Sequence, residues 1–152
     1  ALSNSGLAAH RLEIEVTESI FTADTVKTTA ILSAIRNLGV RISLDDFGTG
    51  YSTLHYLRNF PFDKIKIDKT FVDDLIKTGS NGHAVIRAIT TLADALGMAT
   101  LAEGVEDLIQ LEALESEGCQ SIQGYLFSKP VTADEVAGLL HKDAGSHRRL
   151  RA

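Results

Sequence analysis

The segment Leu44-Asp45-Asp46-Phe47-Gly48-Thr49-Gly50-Tyr51-Ser52 sets two adjacent carboxylates between an apolar stretch and a glycine-containing turn. Two like charges about 4 Å apart repel by about 4 kcal/mol at an effective dielectric near 20. A bound cation reverses the sign of that interaction. A solvated turn is the plainer reading of the pair taken alone, because Asp and Gly are common turn formers. Other chemistry-bearing residues share the same kind of position. Arg11 to Thr17 alternates Leu12, Ile14 and Val16 with Glu13, Glu15 and Thr17. Val40 to Asp45 alternates Val40, Ile42 and Leu44 with Arg41, Ser43 and Asp45. Lys64 to Asp68 sets Ile65 and Ile67 against Lys64, Lys66 and Asp68. Glu103 and Gln123 end two short apolar strands, Ala99 to Ala102 and Gln120 to Ile122. Acidic oxygens converging on one rim suit a hard divalent cation, Mg²⁺ or Mn²⁺. Two such ions can generate a hydroxide and steady both oxygens of an in-line phosphoryl displacement. Lys66 would then supply positive charge beside the phosphate or the attacking water.

Such residues need a scaffold that brings strand ends together. Helical periodicity predicts helices over about Asp24 to Leu38, with Val26, Ala30, Ile31, Ile35 and Leu38 on one stripe, and from the turn at Thr78 to Gly82 as far as Leu96. In the latter, Val85, Ala88, Ile89, Leu92 and Leu96 align. Further helices are expected from Asp107 to Glu117, over Ser52 to Arg58, and from a Thr132–Glu135 capping box to about His141. Leu38-Gly39-Val40, Leu96-Gly97-Met98 and Glu117-Gly118-Cys119 repeat one punctuation, a helix stopped by glycine before a strand. Strands alternating with helices indicate parallel βα units. In a closed parallel barrel the apolar set of each strand faces the helices. The alternate set, with Glu15, Asp45 and Lys66, faces the lumen, and active sites form at the rim where the strands end. Tyr51, Tyr125 and Phe127 are open to base stacking or to core filling. Glu13 reads as a solvated or salt-bridged carboxylate. Cys119 reads as packing. His10, His55 and His83 fall on exposed segments without ligand spacing and receive no role.

The 152 residues suit one domain, with 44% hydrophobic and 23% charged residues and a net charge of −5. That balance, with no basic stripe, argues against duplex nucleic acid as partner. A lone cysteine excludes an internal disulfide and fits a reducing compartment. No apolar run reaches the roughly 18 residues of a membrane span. The start at Ala1 rather than Met is expected of a piece of a longer protein. We read residues 1–141 as one partial domain and residues 142–152, with Arg148, Arg149 and Arg151, as a flexible basic tail.

Five ordered motifs then carry a resemblance. They are Leu12-Glu13-Ile14-Glu15-Val16-Thr17-Glu18-Ser19, the Leu44 to Ser52 segment, Ile65-Lys66-Ile67-Asp68-Lys69, Ala102-Glu103-Gly104-Val105-Glu106, and Gln123-Gly124-Tyr125-Leu126-Phe127-Ser128-Lys129-Pro130. Together they resemble the EAL-domain family of cyclic di-GMP phosphodiesterases. The resemblance implies an α/β fold, a (β/α)8 barrel of which about strands four to eight are here. It implies metal-dependent hydrolysis of cyclic di-GMP to linear pGpG, with two Mg²⁺ or Mn²⁺ ions in the complete site. By the same resemblance Glu15, Asp45, Asp46 and Glu103 are metal ligands, Asp45 bridging both ions. Lys66 holds the catalytic water or phosphate, and Glu106 and Gln123 either support the metal ligands from behind or position water. Glu18 anchors a loop whose Phe47, Gly48, Thr49, Gly50 and Tyr51 organise metals, substrate and dimer contacts. Sensor or GGDEF domains are frequent fusion partners in such bacterial signalling proteins. The domain is expected on the cytoplasmic side, in a parent that is free or membrane-anchored.

The departure is at the front. The strand with the family's Glu-Ala-Leu, and the next strand with its metal-binding Asn, precede these motifs and have no counterpart here. A complete barrel of this type has about 250 residues, so roughly 100 are absent. Five strands cannot close an eight-stranded barrel, and the first and last become unpaired edges. The chain is therefore expected to pair with a second copy or a complementing front segment, and to hydrolyse little by itself. The competing expectation is a non-catalytic cyclic di-GMP receptor or docking module.

Overall fold

The structure is a computed structural model that describes residues 2–21, 25–48, 57, 60, 62–77, 79 and 81–143. Its strands are β1 (Glu13–Thr17), β2 (Arg41–Phe47), β3 (Lys64–Ile67), β4 (Ala99–Ala102) and β5 (Ser121–Ile122). Its helices are α1 (Leu2–Ser5), α2 (Thr25–Asn37), α3 (Lys69–Asp74), α4 (Gly82–Ala95), α5 (Leu108–Ser116) and α6 (Ala133–Asp143). All five strands are parallel and lie in the order β1-β2-β3-β4-β5, so β1 and β5 are the edges of an open sheet. This is an incomplete α/β barrel. No helix among the described residues is long and apolar enough to cross a membrane.

The period-two pattern sorts the two faces as expected. Ile42, Leu44, Ile65, Ile67 and Ala102 are fully buried on the helix side, joined by Ile86, Val72, Val105 and Leu114. Each such aliphatic side chain contributes about 1.5–3 kcal/mol by its removal from water. Phe60 and Phe62 close this core edge to face, 4.8 Å between ring centroids. The α2 stripe is rotated from its expected position, and the α4 stripe is met in part. On α2, Leu32 is buried and Ile35 half-buried, while Val26, Ile31 and Leu38 are exposed. On α4, Ile86, Ile89, Thr90 and Ala93 are buried, and Leu96 lies outside. On α2 apolar residues occupy more than one face, so local periodicity does not choose which face meets the sheet; on α4 the expected Val85, Ile89 and Leu92 do pack against the core.

Boundaries also move. Arg11 closes a short 3-10 turn, Ala9–Arg11, rather than opening β1. β3 ends at Ile67 because the Asp68 carboxylate accepts from Thr70 N and Oγ1 and caps α3, a helix of six residues too short to show a period. At Thr132, the Glu135 carboxylate accepts from the Thr132 amide and hydroxyl, as the capping pattern implies. α6 continues to Asp143, two residues past the expected end of the domain. The rest of the basic tail and most of the expected Ser52 to Arg58 helix lie outside the described residues.

One helix-to-helix clamp had no signal in the sequence. The nearly buried Glu117 carboxylate accepts from Arg87 Nε at 2.7 Å and Nη2 at 2.9 Å, with His83 Nδ1 at 2.9 Å. Thr90 Oγ1 donates to Glu117 O at 2.7 Å. Arg87 first, then His83, hold the Glu117 carboxyl below the usual glutamate range. A depressed carboxyl stabilises the fold above the ordinary carboxylate range, and that stability is lost as pH falls through the folded value. The E117Q variant is expected to lower Tm by about 3 °C at neutral pH. Its Tm is also expected to fall less steeply than the wild type's on acidification, in thermal unfolding between about pH 3 and pH 7. Parallel pH profiles would contradict this.

Candidate active site

Four neighbouring elements deliver one charged cluster to the C-terminal rim. Glu15 comes from β1, Asp45 from β2, Lys66 from β3 and Glu103 from the residue after β4. Lys66 Nζ lies 2.7 Å from Glu15 Oε2, 2.9 Å from Asp45 Oδ1 and 2.8 Å from Glu103 Oε1. Lys66 is 4% exposed, a buried ammonium rather than a surface lysine. Burial pulls its pKa down, but Glu103, Glu15 and Asp45 outweigh burial and hold it above the ordinary lysine value. One layer lower, Lys64 Nζ donates to both Glu13 oxygens at 2.8 Å, which makes Glu13 a bridged carboxylate.

The chain brings Asp45 and Asp46 to this rim by a bulge. The expected strand end at Asp45 is passed, and β2 runs on to Phe47. Leu44 pairs with Ile65 but Phe47 with Ile67, so three steps on β2 match two on β3. Strict alternation would turn Asp46 into the core and Phe47 into the lumen. The extra residue reverses this: Phe47 is buried, Asp46 is exposed, and Asp46 takes φ +54°. Asp is among the few non-glycine residues that tolerate that region, and such bulges recur beside functional sites. Gly48 follows at φ +92°. The Phe47 side chain therefore packs in the core.

The remaining expected residues fall nearby. Glu106 Oε1 lies 3.1 Å from Lys69 Nζ. Glu103, Glu106, Gln123, Gly124 and Tyr125 line a cavity of about 410 Å³ with Lys69 and Gly104. The Glu18 side chain, Thr49, Gly50 and Tyr51 lie outside the described residues. Cys119 is buried as expected, and burial pushes its thiol up. Tyr125 is exposed with the Lys129 ammonium 5.7 Å from its ring centroid, so it does not fill the core.

The donor set has the chemistry of a hard-cation site, all carboxylate oxygen. Asp45 Oδ1 is buried with no donor in hydrogen-bonding geometry, although the Lys66 ammonium is at 2.9 Å. The ammonium offsets the charge on that oxygen, and a divalent ion would give it a second partner. Among the described residues no three His, Cys, Asp or Glu side chains form a ready-made ligand group. The carboxylates gather on Lys66 instead of on one another.

These features define a class: a parallel α/β barrel portion with a lysine-centred acidic rim. The chain belongs to the EAL domain family, whose pattern matches residues 1–130. It is 44% identical over 131 residues to the cyclic di-GMP phosphodiesterase NbdA of Pseudomonas aeruginosa, covering 86% of this chain and 17% of NbdA. In solved structures it is similar to the PaMucR phosphodiesterase in complex with c-di-GMP, with TM-score 0.82 and 40% identity, covering 89% of this chain and 54% of that one. It is similar also to Klebsiella pneumoniae BlrP1 in a manganese/cy-diGMP complex, with TM-score 0.78 and 37% identity, covering 85% and 33%. The chain thus spans about a sixth of NbdA's length and about half of the PaMucR chain. The tripeptide Glu-Ala-Leu does occur, as Glu112-Ala113-Leu114. It stands in α5, with Glu112 exposed and Leu114 in the core, away from the rim.

Proposed function

We propose that this chain supplies the downstream half of the active site of a cyclic di-GMP phosphodiesterase. The carrying observation is the buried Lys66 ammonium ringed by Glu15, Asp45 and Glu103 from neighbouring strands. In this reading Glu15, Asp45, Asp46 and Glu103 would hold two Mg²⁺ or Mn²⁺ ions. When bound, such ions lower the pKa of a coordinated water and neutralise charge on the phosphodiester. Lys66 orients the carboxylates before substrate arrives and places a fixed positive charge beside the phosphate. Glu106 and Gln123, on the wall of the adjoining cavity, hold water in line with the phosphorus. Attack of that water forms one P–O bond and breaks one P–O ester bond, opening the ring to linear pGpG. The open edges of β1 and β5 support pairing with a second copy or with a complementing barrel segment, which would restore the missing wall.

One observation favours a second reading, a metal-independent cyclic di-GMP receptor. Lys66 already balances three carboxylates, and no ready-made ligand group exists among the described residues. One experiment separates the two. The part of the PaMucR barrel that this chain does not span is joined ahead of it, with light scattering reporting whether a single closed barrel forms. Cleavage of cyclic di-GMP with Mn²⁺, abolished by a chelator, is the expected result. Binding that persists in chelator without cleavage supports the receptor instead.

A further inference from the structure

Lys69 opens α3, one residue past the Asp68 cap, and no role follows from its position in the motif. Its ammonium lies 2.9 Å from Asp73 Oδ1, 3.1 Å from Glu106 Oε1 and 3.4 Å from Gly104 O. Its stem crosses the turn after β4 so closely that a Cβ on Gly104 would sit 2.6 Å from both Lys69 Cγ and Cδ. Gly104 has φ +70°, a backbone state that glycine adopts without cost. The turn so held has Glu103, a partner of Lys66, on one side and Glu106 on the other. The same turn is tied from α5, because the buried Gln110 side chain accepts from Glu106 N at 2.7 Å and donates to Asp73 at 3.4 Å.

We propose that Lys69 is a positioning residue of this rim, acting through Gly104 and Glu106 to hold the β4 turn in register with Lys66. The lysine stem fills the space that only a glycine backbone leaves. The ammonium meets the turn's carbonyl and the Glu106 carboxylate, and Asp73 fixes the ammonium from behind. Loss of the charge frees Glu106 and loosens the turn, while the sheet beneath keeps its own hydrogen bonds. The inference rests on the functional reading above for what the rim does, but its structural half stands alone.

Two readouts keep those halves distinguishable. In this chain, K69M is expected to speed hydrogen exchange of the Val105 and Glu106 amides. These donate to Gln123 O and Gln110 Oε1, whereas Ile65 and Ile67 in the sheet are expected to be unchanged. K69R is expected to restore protection, and D73N to produce a smaller change at the same amides. In the joined barrel, K69M is expected to lower kcat about 10-fold to 100-fold, the usual cost of losing such a support. KM is expected to hold and K69R to recover most of the rate. Unchanged exchange at Val105 and Glu106, or a uniform rise across the sheet, overturns the proposal. A kcat unaffected by K69M in an active barrel overturns it too. If the unmodified barrel fails to cleave, the phosphodiesterase reading falls, and exchange alone decides the role of Lys69.

Discussion

The Lys66→Met variant is expected to lose about 3 kcal/mol of stability, near the low end of what breaking a buried charged set costs. Methionine keeps most of the stem, so the loss isolates the charge. Glu15, Asp45 and Glu103 all lie within 2.9 Å of the ammonium that would vanish. Without it the three carboxylates face one another with no cation between them, and like charges about 4 Å apart would repel by about 4 kcal/mol at an effective dielectric near 20. Glu15 is half exposed and can turn to water, whereas Asp45 and Glu103 are mostly enclosed, which sets the estimate toward the lower value. Denaturant unfolding measures the change directly. Mg²⁺ added to the solution is expected to raise Tm more in the variant than in the wild type, because it replaces the missing charge. The alkaline limb carries a second signature. An ammonium held above the ordinary lysine value contributes fully below that value, and its contribution fades as pH rises through the folded one. The Lys66 contribution is therefore constant through neutral pH and fades only in strong alkali, and the alkaline fall in stability is expected to be smaller in K66M. In the joined barrel, cleavage is expected to drop about 100-fold to 1,000-fold, the scale for removing one preorganised charge-stabilising group. A K66M protein as stable as wild type would show that the acidic cluster is solvated and not a site.

The second large effect is expected at Gly124. A Cβ there would overlap the backbone nitrogen and oxygen of Val105. Val105 is fully buried, and its amide donates to Gln123 O at 3.1 Å while its carbonyl accepts from Leu126 N at 3.0 Å. The obstacle is main chain held on both sides, so no rotamer change relieves it. G124A is expected to cost about 3 kcal/mol, at the upper end of overpacking penalties. It is also expected to separate the loop of Gln123 from the loop of Glu103 and Glu106. By contrast Gly97 and Gly118 have open space where a Cβ would go, and their cost is confined to positive φ. G124A losing no more stability than G118A, measured by the same unfolding method, would overturn this ranking.

Particular residues show how far the sequence carried. Glu15, Asp45, Lys66 and Glu103 stood out because period-two alternation put each at the polar side of a strand end, and the structure gathers them within one contact shell. The three helix-glycine-strand joints appear as Gly39, Gly97 and Gly118, all at positive φ. The stripe on α2 was misplaced because apolar residues circle that helix and only the sheet selects a face, whereas on α4 Val85, Ile89 and Leu92 meet the core as expected and the buried set reaches one residue further round. The clamp of Glu117 on Arg87 was invisible because its partners are 30 residues apart with no pattern linking them. Asp68 looked like a third lumen residue, but its short carboxylate bonds Thr70 two residues on and starts a helix instead.

The amino-acid order alone therefore determined the parallel α/β architecture, the family, and which side chains meet at the rim. The architecture and the rim follow from periodicities and turn chemistry that act over a few residues, and the family from the likeness of five ordered motifs. Only the tertiary structure decided that the carboxylates close on Lys66, that a bulge turns Asp46 outward while Phe47 enters the core, and that Lys69 lies across Gly104. Each of those depends on the register between separate strands and on atoms brought together from distant parts of the chain. Such contacts leave no local period to read.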